Sequence, residues 1–158
     1  MTPLAGRATR EANEQFVVGA AYRLVVEAER SEVSHNHQFA WLKEAFDQLP
    51  EDLMERFPTS EHLRKHALIA TGYRTERTFV CASKAEALRL AAWLRPINEF
   101  AVIVPRDNVV IEWTAESQKR RAMGGQRFNE SKQAILDHIA KMIGISSVEL
   151  MRNAGKAA

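Results

Sequence analysis

Apolar residues change their spacing along this chain, and those changes divide it into elements. From Tyr22 to Glu29 the run YRLVVEAE partly alternates and is rich in strand formers, which predicts a strand, with a helix through Ala20-Ala21 as the competing reading. From His35 to Leu49 the spacing becomes helical. Phe39, Leu42, Phe46 and Leu49 fall on one stripe behind Ser34 as N-cap, and Pro50 stops the helix. A short amphipathic turn over Glu51–Phe57 presents Leu53, Met54 and Phe57. Thr59 or Ser60 then caps a helix to Ala70 whose inner face is Leu63, Ala67 and Ala70, with Gly72 as its C′ residue.

The second half reads more sharply. Arg77–Ala82 predicts a short strand. Ser83-Lys84-Ala85-Glu86 is a capping box that opens a helix to Arg95, before Pro96, with Leu88, Ala91, Ala92 and Leu94 inward. The apolar run Phe100–Val104, the turn residues Pro105–Asn108 and the strand Val109–Thr114 predict a β-hairpin. Ala115–Met123 is helical in composition and is broken by Gly124-Gly125. Glu130–Ile143 predicts a firm helix with Ile135, Ile139, Met142 and Ile143 on one side and Gly144 at its end. Ser146-Ser147-Val148-Glu149 is a second capping box before a last short helix, and the chain frays from Gly155. Together these predict an α+β fold: one domain over residues 16–152, a small antiparallel β-sheet packed against several α-helices. A flexible N-terminal arm (1–15) and a frayed tail (153–158) flank it.

A length of 158 residues suffices for one buried core, and 46% apolar with 27% charged residues is ordinary for a soluble globular protein. No apolar run approaches the roughly 20 residues that span a bilayer, and acids interrupt the N-terminus before any signal-like apolar region. One cysteine, Cys81, excludes an internal disulfide and fits a reducing cytoplasm. The net charge of +2 is segregated. Residues 27–61 hold nine acids against three Lys or Arg, net −6, whereas residues 62–132 hold thirteen cations against seven acids, net +6. Two solvated faces would produce this pattern, and so would a basic surface for nucleic acid.

The basic half culminates in Ser117–Lys132, SQKRRAMGGQRFNESK, where Lys119, Arg120, Arg121, Arg127 and Lys132 face one acid, Glu130. A glycine pair among cations lets backbone N–H groups and long side chains approach phosphates together. Gln118 and Gln126 add hydrogen bonds to sugar or base edges. Tyr73, Phe128 and Trp113 are candidate stacking rings, with Tyr73 in a polar loop the best exposed. Arg64, Lys65, His66, Arg74 and Arg77 would extend the positive surface. The alternative is a loop whose cations only solvate the protein.

Other chemistry finds less support. His62 and His66 share a helical face and His35 and His37 flank Asn36, but Leu63 stands where a metalloprotease motif needs glutamate, so no metal or other cofactor is expected. Cys81 lies in an apolar strand without a sequence-paired base. No phosphate-binding glycine loop or nucleophile elbow occurs, and no enzyme is expected.

The segment Glu29–Trp41 (ERSEVSHNHQFAW) resembles the N-terminal signature of the NinB (Orf) family of phage recombination proteins, in which a strand leads into an R-S-x-x-Q-N-R-x-x-W-A helix. Arg30-Ser31 matches; Ser34-His35 replaces the Gln-Asn pair, and Phe39-Ala40 approximates the aromatic-alanine end. More broadly, the elements SHNHQFA, CASKAEALRLAAWLRP and TAESQKRRAMGGQRFNESKQAILDHIAKMIG resemble proteins of phages and prophages of alphaproteobacteria. The NinB likeness implies a homodimeric, non-enzymatic protein that binds single-stranded DNA and assists a recombinase during phage recombination. The alternative is a phage-encoded interaction module that docks on a host recombination or replication protein.

Overall fold

A computed structural model describes residues 32–119 and 121–156. The arm at 1–15, the strand expected at Tyr22–Glu29 and the first part of the NinB-like segment lie outside these residues. Among the described residues, six helices and three strands follow in order. They are α1 (Glu32–Asp47), α2 (Glu51–Met54), α3 (Ser60–Ala70), β1 (Arg74–Val80), α4 (Lys84–Ile97), β2 (Val102–Arg106), β3 (Val109–Ala115), α5 (Gly125–Ile143) and α6 (Ser147–Lys156). The fold is α+β, as the spacing predicts. None of the described helices is long and apolar enough to cross a membrane.

The sheet is antiparallel with order β1-β3-β2. The hairpin forms where expected, turning at Asp107 in the left-handed region (φ 49°), which a short polar side chain tolerates. β1 begins at Arg74, three residues before the predicted start. Arg74–Glu76 carry no apolar alternation, and polar cross-strand pairs recruit them instead: the hydroxyls of Thr75 and Thr114 meet at 2.7 Å, and Trp113 Nε1 donates to Glu76 at 2.7 Å.

Two apolar cores result. The larger joins α1, α3, α5 and α6 around Trp41, Leu42, Leu63, Leu68, Ile135, Ile139 and Leu150. The smaller lies between α4 and one face of the sheet, built on Ala87, Ala91, Leu94, Ile103 and Val110. On α1 the inward stripe is Gln38, Trp41, Leu42 and Ala45, with Leu49 buried just beyond the helix end, so it is rotated from the predicted one and leaves Phe39 partly exposed. On α3, Ala70 is exposed while Leu68 and Ile69 are buried, and on α4 Leu88 and Ala92 face outward.

Capping signals locate most helix starts. Thr59 Oγ1 accepts from the N–H of His62, Ser83 Oγ accepts from that of Glu86, and Ser146 Oγ accepts from that of Glu149. Glu86 reaches back past the cap and accepts from the N–H of Ala82 at 2.8 Å. Gly72 and Gly144 both have positive φ just beyond helix ends. Four boundaries differ from expectation. Ser34 lies inside α1 rather than at its cap. α4 runs through Pro96, because a proline in the last turn sacrifices only one late N–H bond. α6 continues to Lys156, past Gly155. The fourth concerns the basic segment itself: Ala115–Met123 is not helical, and α5 starts at Gly125 rather than Glu130. The glycine pair therefore opens a helix; it is not a hinge between two helical arms.

Candidate nucleic-acid interface

The chain leaves β3 along the end of β1, where Glu116 N–H donates to Tyr73 C=O at 3.0 Å. It then turns Gln118 into the interior. The Gln118 Oε1 accepts from Gln38 Nε2 at 2.9 Å and from the Arg64 guanidinium, while its Nε2 donates to Ser131 Oγ at 2.8 Å. One amide thus ties together α1, α3 and α5. Arg64 is closed off on its other side by Glu61, through two hydrogen bonds of 2.7 and 2.6 Å. Burial pushes the Glu61 carboxyl up, but the hydrogen bonds and charge of Arg64, with Lys65 and His62 behind them, together hold it below its ordinary value. Such a network fits the rule that buried polar groups are paired, and each lost member leaves the others unsatisfied.

Five residues later Met123 is buried again, its Sδ 3.6 Å from Ser131 Oγ. Between these two anchors the backbone makes a tight turn, with the N–H groups of Ala122 and Met123 both donating to Lys119 C=O at 2.9 and 3.0 Å. Lys119 and Arg121 project from this turn, exposed, and neither forms an ion pair with any described residue. The side chain of Arg120 lies outside the described residues.

The turn delivers the chain to the N-terminus of α5, a helix of 19 residues. Its N-cap is Gly124, so no side chain caps it, and its first turn contains no acid. The starts of α3 and α4 differ on both counts, having hydroxyl caps and an acid in the first turn. Leading N–H groups of a helix have no internal partner, and the helix dipole makes that end attractive to anions. Around Gly124 there is open space, with no atom within 4 Å of where a Cβ would stand. A phosphate can therefore approach the backbone closely.

The remaining predicted contacts divide by environment. Arg127, in the first turn of α5, is held by both carboxylate oxygens of Glu116 and lies over the Tyr73 ring at 5.1 Å. Its side chain stays half exposed. Gln126 bonds Glu130 one turn on, at 2.9 Å. Lys132 is half-buried, and that burial lowers its ammonium pKa.

Three arginines do not extend this surface. Arg64 is buried. Arg74 stacks on Trp113 at 4.2 Å and donates to Ile69 C=O at 3.0 Å. Arg77 sits three residues along the same strand, hence on the opposite sheet face, where it pairs with the buried Glu112 carboxylate. Asn98 Nδ2 donates to the other Glu112 oxygen at 3.2 Å. Phe128 is fully buried, so it is no stacking platform, and Gln118 is structural rather than a base-edge contact. The sequence shows no sign of the Gln38–Gln118–Arg64 link, whose members are 80 and 54 residues apart. Among the described residues no three His, Cys, Asp or Glu side chains converge as a metal site requires. Comparison with protein-family models, with curated proteins and with solved structures finds no match.

Proposed function

We propose that this protein binds single-stranded nucleic acid through the Lys119–Met123 turn and the first turn of α5. In this reading it is a non-enzymatic accessory factor of the phage type, acting in recombination or replication. The observation that supports it most is the pairing of exposed Lys119 and Arg121, without an ion pair among the described residues, with a helix start that has no side-chain cap and no acid in its first turn. Backbone N–H groups and cations then converge on one strand of phosphates. Single strands are favoured because Arg127, 5.1 Å from the Tyr73 ring centroid and half exposed, offers a guanidinium on which an unpaired base stacks.

The test is fluorescence anisotropy of a labelled mixed-sequence 20-mer over a range of salt. Binding at about 50 mM salt, with log K falling by about 0.7 per contacted phosphate for each decade of salt, supports the assignment. No binding at low salt overturns it.

A second reading, docking on a host protein, is favoured by α4. Trp93 and Ile97, one turn apart there, remain 64% and 61% exposed. A host protein captured after nuclease treatment, and released by W93A/I97A, would support that alternative.

A further inference from the structure

A second site lies away from the basic turn, where α3 meets the segment entering β2. It is a cavity of about 260 Å³ lined by Arg56, Phe57, His62, His66, Glu99 and Phe100, with the chain entering β2 behind them. Two ring pairs form its walls. His62 and Phe100 lie 4.6 Å apart at 43°, and Phe57 and His66 lie 5.0 Å apart at 62°. Cations border both pairs: Arg56 sits 5.5 Å from the Phe57 centroid, and Lys65 Nζ sits 5.6 Å from that of Phe100.

The polar groups are held in defined roles. His62 Nδ1 meets the Thr59 cap hydroxyl at 2.8 Å, and its Nε2 is 4.0 Å from the exposed Glu99 carboxylate. Arg56 donates to His66 Nε2 at 3.2 Å. Neutral His66 therefore carries its proton on Nδ1, a buried donor with no partner among the described residues. The cavity is smaller than the roughly 300–1,000 Å³ of sites for drug-sized ligands, which suits one planar ring and not a larger molecule.

We propose that this cavity receives a single unpaired nucleobase, its rings set against the His62–Phe100 and Phe57–His66 walls and its phosphate outside against Arg56. Aromatic and histidine rings stack on base faces regardless of sequence. Glu99, at the rim, accepts from an exocyclic amino group, which favours adenine or cytosine over thymine. The base can come from a bound strand or from a free nucleotide. In the first case the inference rests on the single-strand reading above; in the second it is independent of it.

The experiment follows the histidine ring signals by NMR during titration with adenosine 5′-monophosphate, with a single-stranded DNA 20-mer, and with the same 20-mer made abasic. Oligonucleotide binding is measured in parallel by anisotropy. His62 and His66 signals are expected to move with the nucleotide or the intact strand, to stay still with the abasic strand, and His37 to serve as the unmoved control. Arg56→Ala, at an exposed position, is expected to weaken the nucleotide response about tenfold.

Movement with the intact strand alone assigns the cavity to a strand, and movement with the mononucleotide assigns it to a free nucleotide as well. Movement with the mononucleotide while the 20-mer fails to bind supports the cavity and overturns the strand reading. A 20-mer that binds while both ring signals stay fixed in every titration overturns the cavity and leaves the strand reading standing. Equal movement with the abasic strand also overturns it.

Discussion

Three of the candidate arginines and the cations of the Lys119–Met123 turn contribute the same formal charge and are treated oppositely by the fold. Arg64, Arg74 and Arg77 each have a protein partner: Glu61 with Gln118, Trp113 with Ile69 C=O, and Glu112. Lys119 and Arg121 are exposed beside a helix start that has neither cap nor acid. The difference teaches that a basic sequence count measures charge and not its availability. A guanidinium already forked onto a carboxylate has its donors and its field largely spent.

The strongest way to break this comparison is Arg64→Ala. If Arg64 is structural, its removal takes one hydrogen bond from Gln118 and two from Glu61 and lowers stability by about 2–3 kcal/mol in urea unfolding. A neutral change would return Arg64 to the list of candidate contacts. Gln118→Ala is the next largest, with an expected loss of about 1–2 kcal/mol in the same measurement, because Arg64, Gln38 and Ser131 all lose a partner. Oligonucleotide binding should also weaken, since the turn loses its leading anchor. Arg74→Ala is expected to cost about 0.5–1 kcal/mol through lost stacking on Trp113 and to leave oligonucleotide binding unchanged.

The smallest effect is a pH dependence centred on His66 and His138, whose ring centroids lie 6.4 Å apart. Burial, then Arg56 and His138, lower the pKa of His66; burial, then Lys141, lower that of His138. Both rings therefore stay neutral in the fold at pH values where the unfolded chain, with an ordinary value of 6.5, takes up protons. Stability from this source is present above about pH 6.5 and is lost as pH falls below it. Thermal melts from pH 7.5 to 5.5 should show a falling Tm, and His138→Gln should flatten the fall. Glu61, with its lowered pKa, acts in a separate and more acidic window, below its ordinary value of 4.5.

Local chemistry was the legible part of this fold. Thr59, Ser83 and Ser146 announce helix starts, Gly72 and Gly144 announce ends, and the apolar runs around Asp107-Asn108 announce the hairpin. Each signal acts within four or five residues of itself. The composition of Ala115–Met123 is helical, yet Gln118 and Met123 are drawn into the interior by partners on α1, α3 and α5, and a continuous helix there cannot satisfy both. The same distance hid the fate of the arginines. Arg64 is told from a surface cation only by Gln118, 54 residues on, and Arg77 only by Glu112 across the sheet. The candidate site was thus visible as a charge maximum, while which of its cations stay exposed depended on contacts that no local pattern records.

The most direct test compares the salt dependence of 20-mer binding for the wild type and for K119A/R121A. Both positions are exposed, so stability should stay within about 0.5 kcal/mol of the wild type. The double variant is expected to lose most of its affinity at low salt, and its slope of log K against log salt should shrink by about 1.4, two contacts at about 0.7 each. Equal affinity and equal slope in the two proteins would contradict the assignment of this turn as the phosphate-binding surface.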